Sequence, residues 1–288
     1  MTQSSSAGRA ADLSVIVPPV SAHGPMMQLA EIAGVLAERT PPHSWMLVGG
    51  LMVQVHAMAA GLSPSRATED VDLAINLTAP DVVAANVLGA LRGIGYDVMD
   101  PLDRDGPLHR LTRDKHHIDL LVPDHPPRNE STRRRYRVGG RELFSAAGVS
   151  QALARPQQAL ITLERTPSFT VTVPNLLGAL VLKGAAWKAD NRAARRHLED
   201  AVTLAACVDD AVPYLSDLRG NDRRRLRGLH EALASGDPAL ARLGAAEAVR
   251  VQDTMRILAT APGPGRQRPV VEGAPLDWAP STRGPLGR

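Results

Sequence analysis

Cysteine is almost absent. Cys207 is the single one in 288 residues, which excludes an intramolecular disulfide framework and a cysteine metal cluster and fits a reducing cytoplasm. Aromatic residues make up only 3% of the chain, as two Phe, three Trp and three Tyr, too few for extensive stacking of nucleic-acid bases on side-chain rings. Long apolar runs are missing too. The best candidate, 171–187, is broken by Pro174, Asn175 and Lys183, so neither a membrane span nor an export signal is expected. There is no internal repeat, and no heptad pattern that would support a coiled-coil dimer.

What is present is enough apolar material, 44% of residues against 22% charged, for one sizeable core or two modest ones. The net charge of +3 is small, but arginines bunch at Arg133, Arg134, Arg135 and Arg137, and again at Arg223, Arg224, Arg225 and Arg227. Such clusters attract polyanions, nucleic acid above all, and equally describe a solvated helix face or an unstructured arm.

Read along its length, the chain predicts an α+β protein. Residues 1–24 lack periodicity and end beyond Pro18 and Pro19, which predicts a mobile arm, with order from about Met26. A helix is expected over 27–37, a strand over 45–48, then the pair Gly49 and Gly50 at a strand-to-helix turn, then a helix over 51–60. From Asp70 to Leu77 the residues alternate strictly, placing Asp70, Asp72, Ala74 and Asn76 on one face and Val71, Leu73, Ile75 and Leu77 on the other. A helix follows from Pro80 to about Leu91, then short strands over 96–99 and 108–112, and a second alternating strand over 116–122 with His117 and Asp119 opposite Ile118, Leu120 and Val122. Residues 123–140 read as a long basic loop, followed by strands over 159–164 and 169–173. After Pro174 the pattern turns helical, over 175–189, 193–207, 221–233 and 237–258. The expected organisation is a sheet-bearing domain over 25–173, a helical domain over 174–260, and an unstructured tail over 261–288.

The chemistry resides in an ordered series: Gly49 and Gly50, then Arg66, Thr68, Asp70 and Asp72, then Asp119 on a later strand. Two carboxylates two residues apart on a strand face the same side, where they can share a hard cation such as Mg²⁺ or Mn²⁺. Asp119 is the candidate third carboxylate of a two-metal arrangement, one ion activating a hydroxyl and the other holding a triphosphate. The glycine turn admits phosphate oxygens to backbone N–H groups at a helix N-terminus. Taken singly, Gly-Gly is an ordinary turn and Asp-x-Asp an ordinary solvated edge; their joint occurrence in this order carries the reading. His116 and His117 read either as metal ligands or as a polar pair at a strand start.

This series resembles the DNA polymerase β-like nucleotidyltransferase superfamily, whose signature is a Gly-Gly or Gly-Ser turn followed by an Asp-x-Asp or Asp-x-Glu strand. The interval between Gly50 and Asp70 is longer than in the compact, antibiotic-modifying members. The run from Leu47 to Leu73, with Arg66 and Thr68 ahead of Asp70, looks like the AbiEii family of bacterial toxins, which includes the mycobacterial MenT enzymes. Residues 183–204, with Lys183, Arg192, Arg196 and Asp200 at helical intervals, are similar to that family's Lys and Asp motif. The resemblance spans roughly residues 45 to 205.

It implies a nucleotidyltransferase-like mixed sheet with flanking helices followed by helices. It implies metal at Asp70 and Asp72, and a nucleoside triphosphate beside Gly49, Gly50, Arg66 and Thr68. Lys183, or Lys188 in another register, would contact the phosphates, and Asp200 would orient or activate the acceptor. Relatives of this kind transfer nucleotides to the 3′ end of tRNA until an antitoxin intervenes, so a tRNA acceptor and a cognate antitoxin are the implied partners. A protein or small-molecule acceptor, and a binding module without catalysis, are the alternatives.

Overall fold

The computed structural model describes residues 12–18, 24–63, 67–99, 106–125, 129, 133–164, 166–233 and 237–262. Its strands are β1 (Leu13–Ile16), β2 (Trp45–Val48), β3 (Asp70–Ile75), β4 (Asp97–Val98), β5 (Arg110–Arg113), β6 (His116–Pro123), β7 (Arg137–Val138), β8 (Arg141–Glu142), β9 (Phe144–Ala146), β10 (Pro156–Thr162) and β11 (Phe169–Pro174). Its helices are α1 (Pro25–Arg39), α2 (Gly49–Ala59), α3 (Ala84–Arg92), α4 (Val149–Leu153), α5 (Leu176–Ala189), α6 (Ala194–Ala206), α7 (Asp222–Leu233) and α8 (Ala245–Thr260). The fold is α+β.

The larger sheet runs β2-β3-β6-β5-β4, with β9 also paired to β6. β3 and β6 are parallel, and β2 and β5 flank them antiparallel. Alternation in β3 and β6 buries Val71, Leu73 and Ile75 with Ile118, Leu120 and Val122 on one face, the face to which α1, α2 and α3 contribute buried apolar residues. Pro25 opens α1 in its first turn, where a missing N–H removes no hydrogen bond. Asn175 caps α5, accepting from the Gly178 N–H at 2.9 Å. A second sheet, β1-β10-β11, places β11 beside β2.

The structure departs from the sequence reading in three places. Within the expected arm, Leu13–Ile16 forms β1, parallel to β10, with Val15 fully buried. A four-residue strand whose partner lies far along the chain leaves no local signature. The end of the expected basic loop holds a 3₁₀ turn at Arg134–Tyr136 and strand β7, which pairs with β8 just beyond it in a small hairpin. The helix expected over 237–258 is broken: Asp237 caps the Ala239 N–H at 2.7 Å, a 3₁₀ turn covers Leu240–Arg242, and α8 starts after Gly244. Buried apolar residues on both sides of position 174 lie in one cluster, from Leu73 and Ile118 to Leu204, Leu226 and Met255. Cys207 is buried and donates its thiol to the Thr203 carbonyl at 3.2 Å, and burial pushes the thiol pKa up to about 12. No helix among the described residues is long and apolar enough to cross a membrane.

Candidate active site

The second face of the larger sheet is divided. At one end Met46, Val48 and Ala74 pack with Val149 and Ala152 of α4 and Leu182 of α5. At the other end the same face turns acidic, because alternation puts Asp70 and Asp72 in line with Ala74. The parallel register then sets Asp119 directly beside Asp72. The small apolar cluster seats α5 on the sheet through Leu182, so that the next residue, Lys183, is delivered to the acidic end.

β2 pairs with β3 so that Val48 lies opposite Asp72, and the glycine turn therefore falls against that carboxylate. Gly49 has φ +69°, and a Cβ there would overlap the Asp72 carboxyl. Both the backbone conformation and the space require glycine. The Gly50 N–H, in the first turn of α2, donates to Asp72. Burial, then the neighbouring Asp119 and Asp70 carboxylates, push the Asp72 carboxyl up to about 6, while Lys183 and Gly50 act in the opposite direction.

Asp119 has a partner that the sequence reading did not name. Arg110 stands opposite it across the β5/β6 hairpin. The Arg110 guanidinium donates from Nε and Nη2 to both Asp119 oxygens at 2.7 Å, and from Nη2 to Asp70 at 3.3 Å. This two-point geometry is the strong form of an Arg–carboxylate contact. The hairpin spacing from 110 to 119 was the available signal, once Asp114 and Lys115 are taken as its turn.

Lys183 and Asp200 form an ion pair at 2.7 Å between α5 and α6, and both side chains are buried. Lys183 also lines a cleft of about 760 Å³ with Val48, Gly49 and Asp72 on one side and Asp190, Asn191, Arg192 and His197 on another. Phe144, 42% exposed, lies on the same cleft. Asp200 stands behind Lys183 and does not line the cleft. Lys188 does not line it either; it borders a neighbouring depression with Arg224 and Arg225. Burial, then Lys183, lowers the pKa of His197, against opposing effects from Asp200 and Asp190.

Thr68 is half-buried in the extended stretch leading into β3, and Arg66 lies outside the described residues. His116 and His117 sit at the start of β6, with the His117 carbonyl accepting from Gln28 at 3.1 Å. Of the arginine clusters, Arg133 and Arg137 pair with Glu142 at 2.8 and 3.1 Å, and Arg135 donates to the Ala79 and Val82 carbonyls. Arg134, Arg224 and Arg227 are exposed.

Among the described residues, no group of three or more His, Cys, Asp or Glu side chains is arranged to hold a metal ion. Asp119 is placed in the fork of Arg110. Asp70 and Asp72 present hard oxygens of the kind Mg²⁺ or Mn²⁺ takes on one strand face, and Arg110 also reaches Asp70 at 3.3 Å, so Asp70 is shared with the guanidinium.

No protein-family model matches the chain, and no curated protein is similar to it. Among solved structures, it is similar to an antigenic nucleotidyltransferase-like protein from Paracoccidioides brasiliensis, at 14% identity and a TM-score of 0.45, over 75% of this chain and 91% of that one.

Proposed function

We propose that this protein is a metal-dependent nucleotidyltransferase, transferring a nucleoside monophosphate from a nucleoside triphosphate to a hydroxyl of RNA, the tRNA 3′ end by the AbiEii and MenT-like resemblance. The observation that carries the reading is convergence: Gly49, Asp72 and Lys183, from three separate stretches of sequence, line one cleft. Asp70 and Asp119 lie on the same strands beside it.

In this reading Asp70 and Asp72 hold Mg²⁺ or Mn²⁺. A bound divalent ion neutralises triphosphate oxygens and makes an acceptor hydroxyl easier to deprotonate. The α2 N-terminus and Lys183 draw the phosphates toward Asp72. Thr68 stands beside the triphosphate, and Arg66 belongs to the same motif. Asp200 acts through Lys183, fixing its ammonium from α6. Arg110 holds Asp119 and so positions the acidic end of β3 and β6. Phe144 offers an exposed ring for the base. Action as the toxin of a toxin–antitoxin pair, restrained by a cognate antitoxin, follows from the same resemblance.

The test is incubation of the purified protein and its Asp70→Ala variant with labelled nucleoside triphosphates, Mg²⁺ and total tRNA. Label entering RNA with the wild type alone supports the proposal. Label on protein instead transfers the chemistry to another acceptor. A second reading, a nucleotide- or RNA-binding module without catalysis, is favoured by the hold of Arg110 on Asp119 and Asp70. Binding of nucleotide and RNA with no transfer to any acceptor would favour it.

A further inference from the structure

Beside the main cleft lies a smaller depression of about 160 Å³, lined by Ala147, Ala185, Lys188, Ala189, Arg224 and Arg225. The two share Ala147 and Ala189, so they are adjoining compartments. The walls of the smaller one are methyl groups, and its charged lining is entirely cationic.

Arg225 is the informative member. Its side chain is only 10% exposed. The fold fixes it there because α7 presses onto α5 at Gly184, where a Cβ would stand 2.9 Å from the Arg225 carbonyl oxygen. Its Nη2 reaches Asp124 at the long distance of 3.6 Å. Asp124 is itself occupied with the N–H groups of Gly148 at 3.2 Å and Ser150 at 3.1 Å. The Arg225 Nη1 is buried and has no hydrogen-bond partner among the described residues. A charged donor left unpaired and buried favours an acceptor brought against this guanidinium. With Lys188 and Arg224 exposed at the mouth, the depression carries positive charge that Asp124 only partly offsets.

We infer that this depression is a phosphate subsite, seating a backbone phosphodiester of a nucleic-acid acceptor whose 3′ end enters the neighbouring cleft. The identity of the acceptor rests on the proposed nucleotidyl transfer; the anion site rests on its own geometry. The triphosphate is assigned to the other compartment, with Gly49, Asp72 and Lys183, which leaves this one to the second substrate. The cationic side chains would read phosphate and not sequence, so binding is sequence-independent and salt-sensitive.

The experiment measures binding of a fluorescent single-stranded RNA oligonucleotide across a salt series, alongside binding of a fluorescent nucleoside triphosphate. The chains compared are the wild type, Arg224→Ala, and Lys188→Ala with Arg224→Ala, each checked for folding by thermal melting. Each lost phosphate contact is expected to reduce the slope of log affinity against log salt by about 0.7 and to weaken RNA binding several-fold at moderate salt. Triphosphate binding by Arg224→Ala stays at the wild-type level. Unchanged RNA affinity and slope in the double variant overturn the inference. So does a loss confined to the triphosphate, which would give the depression to the nucleotide. If the wild type binds no triphosphate while RNA binding still falls in the variants, the subsite stands and the transfer reading fails.

Discussion

Lys183 and Asp200 face each other at 2.7 Å with side chains 5% and 2% exposed, yet only Lys183 reaches the cleft that holds Asp72. The pair therefore has one member on the cleft and one that fixes it. Removing either alone strands a buried charge, so Asp200→Ala should destabilise the protein by about 3–5 kcal/mol in urea unfolding. Replacing both by well-packed apolar residues, as in Lys183→Met with Asp200→Leu, should recover most of that stability while nucleotidyl transfer stays lost. Recovery of transfer in the double variant would rule out a phosphate role for Lys183.

Gly49 meets Asp72 more closely than any side chain would allow. Gly49→Ala combines a positive φ with a collision, and should cost well over about 1 kcal/mol. Transfer and triphosphate binding should fall together, because the substitution must displace either the α2 N-terminus or the Asp72 carboxyl. A variant with wild-type melting temperature and wild-type binding would show that the turn tolerates a side chain, against the geometry described.

Arg110 acts as a fixed cation among three carboxylates. In Arg110→Gln the repulsion between Asp70, Asp72 and Asp119 is released, and a loss of about 1.5–3 kcal/mol is expected from the charge-assisted hydrogen bonds. Millimolar Mn²⁺ should return much of this in the variant and add less to the wild type, as read by melting temperature with and without the ion. Equal shifts in both chains would show that Arg110 and a cation do not compete for the same charge.

His56 gives a pH test away from the cleft. It is buried on α2 and its Nε2–H donates to the Pro174 carbonyl at 2.9 Å. Burial lowers its pKa from 6.5 to about 4, and the Pro174 bond opposes this only in part. Between those values the unfolded chain takes up a proton that the folded chain refuses, so stability falls as pH drops through this window. The loss should reach roughly 3 kcal/mol by pH 4. Urea unfolding of wild type and His56→Gln between pH 7 and 5 should show a shallower fall in the variant; parallel curves would assign the acid sensitivity elsewhere.

The part of the site legible in the sequence was the part written locally. Strict alternation in 70–77 and 116–122 fixes which residues share a face, and the order strand, Gly-Gly, helix places the turn against the next strand. Contacts between distant positions left no such trace. The pairing of Arg110 with Asp119 depends on where the β5/β6 hairpin turns, and β1 depends on β10 for its existence. The ion pair of Lys183 with Asp200 was not foreseen from either helix alone, and that Lys183 lines the cleft while Lys188 borders the neighbouring depression goes with the seating of Leu182 on the sheet. Sequence periodicity reports which way a residue faces on its own element, and the docking of one element on another decides what it meets.

The strand β1 has a bearing on how the chain is made. Leu13 pairs with Ala159, the most distant strand pairing in sequence among the described residues. A nascent chain that has emerged from the ribosome through both acidic strands still lacks the partner of β1. β1 thus waits for a strand made roughly 150 residues later, and for this pair the order of completion runs against the order of synthesis.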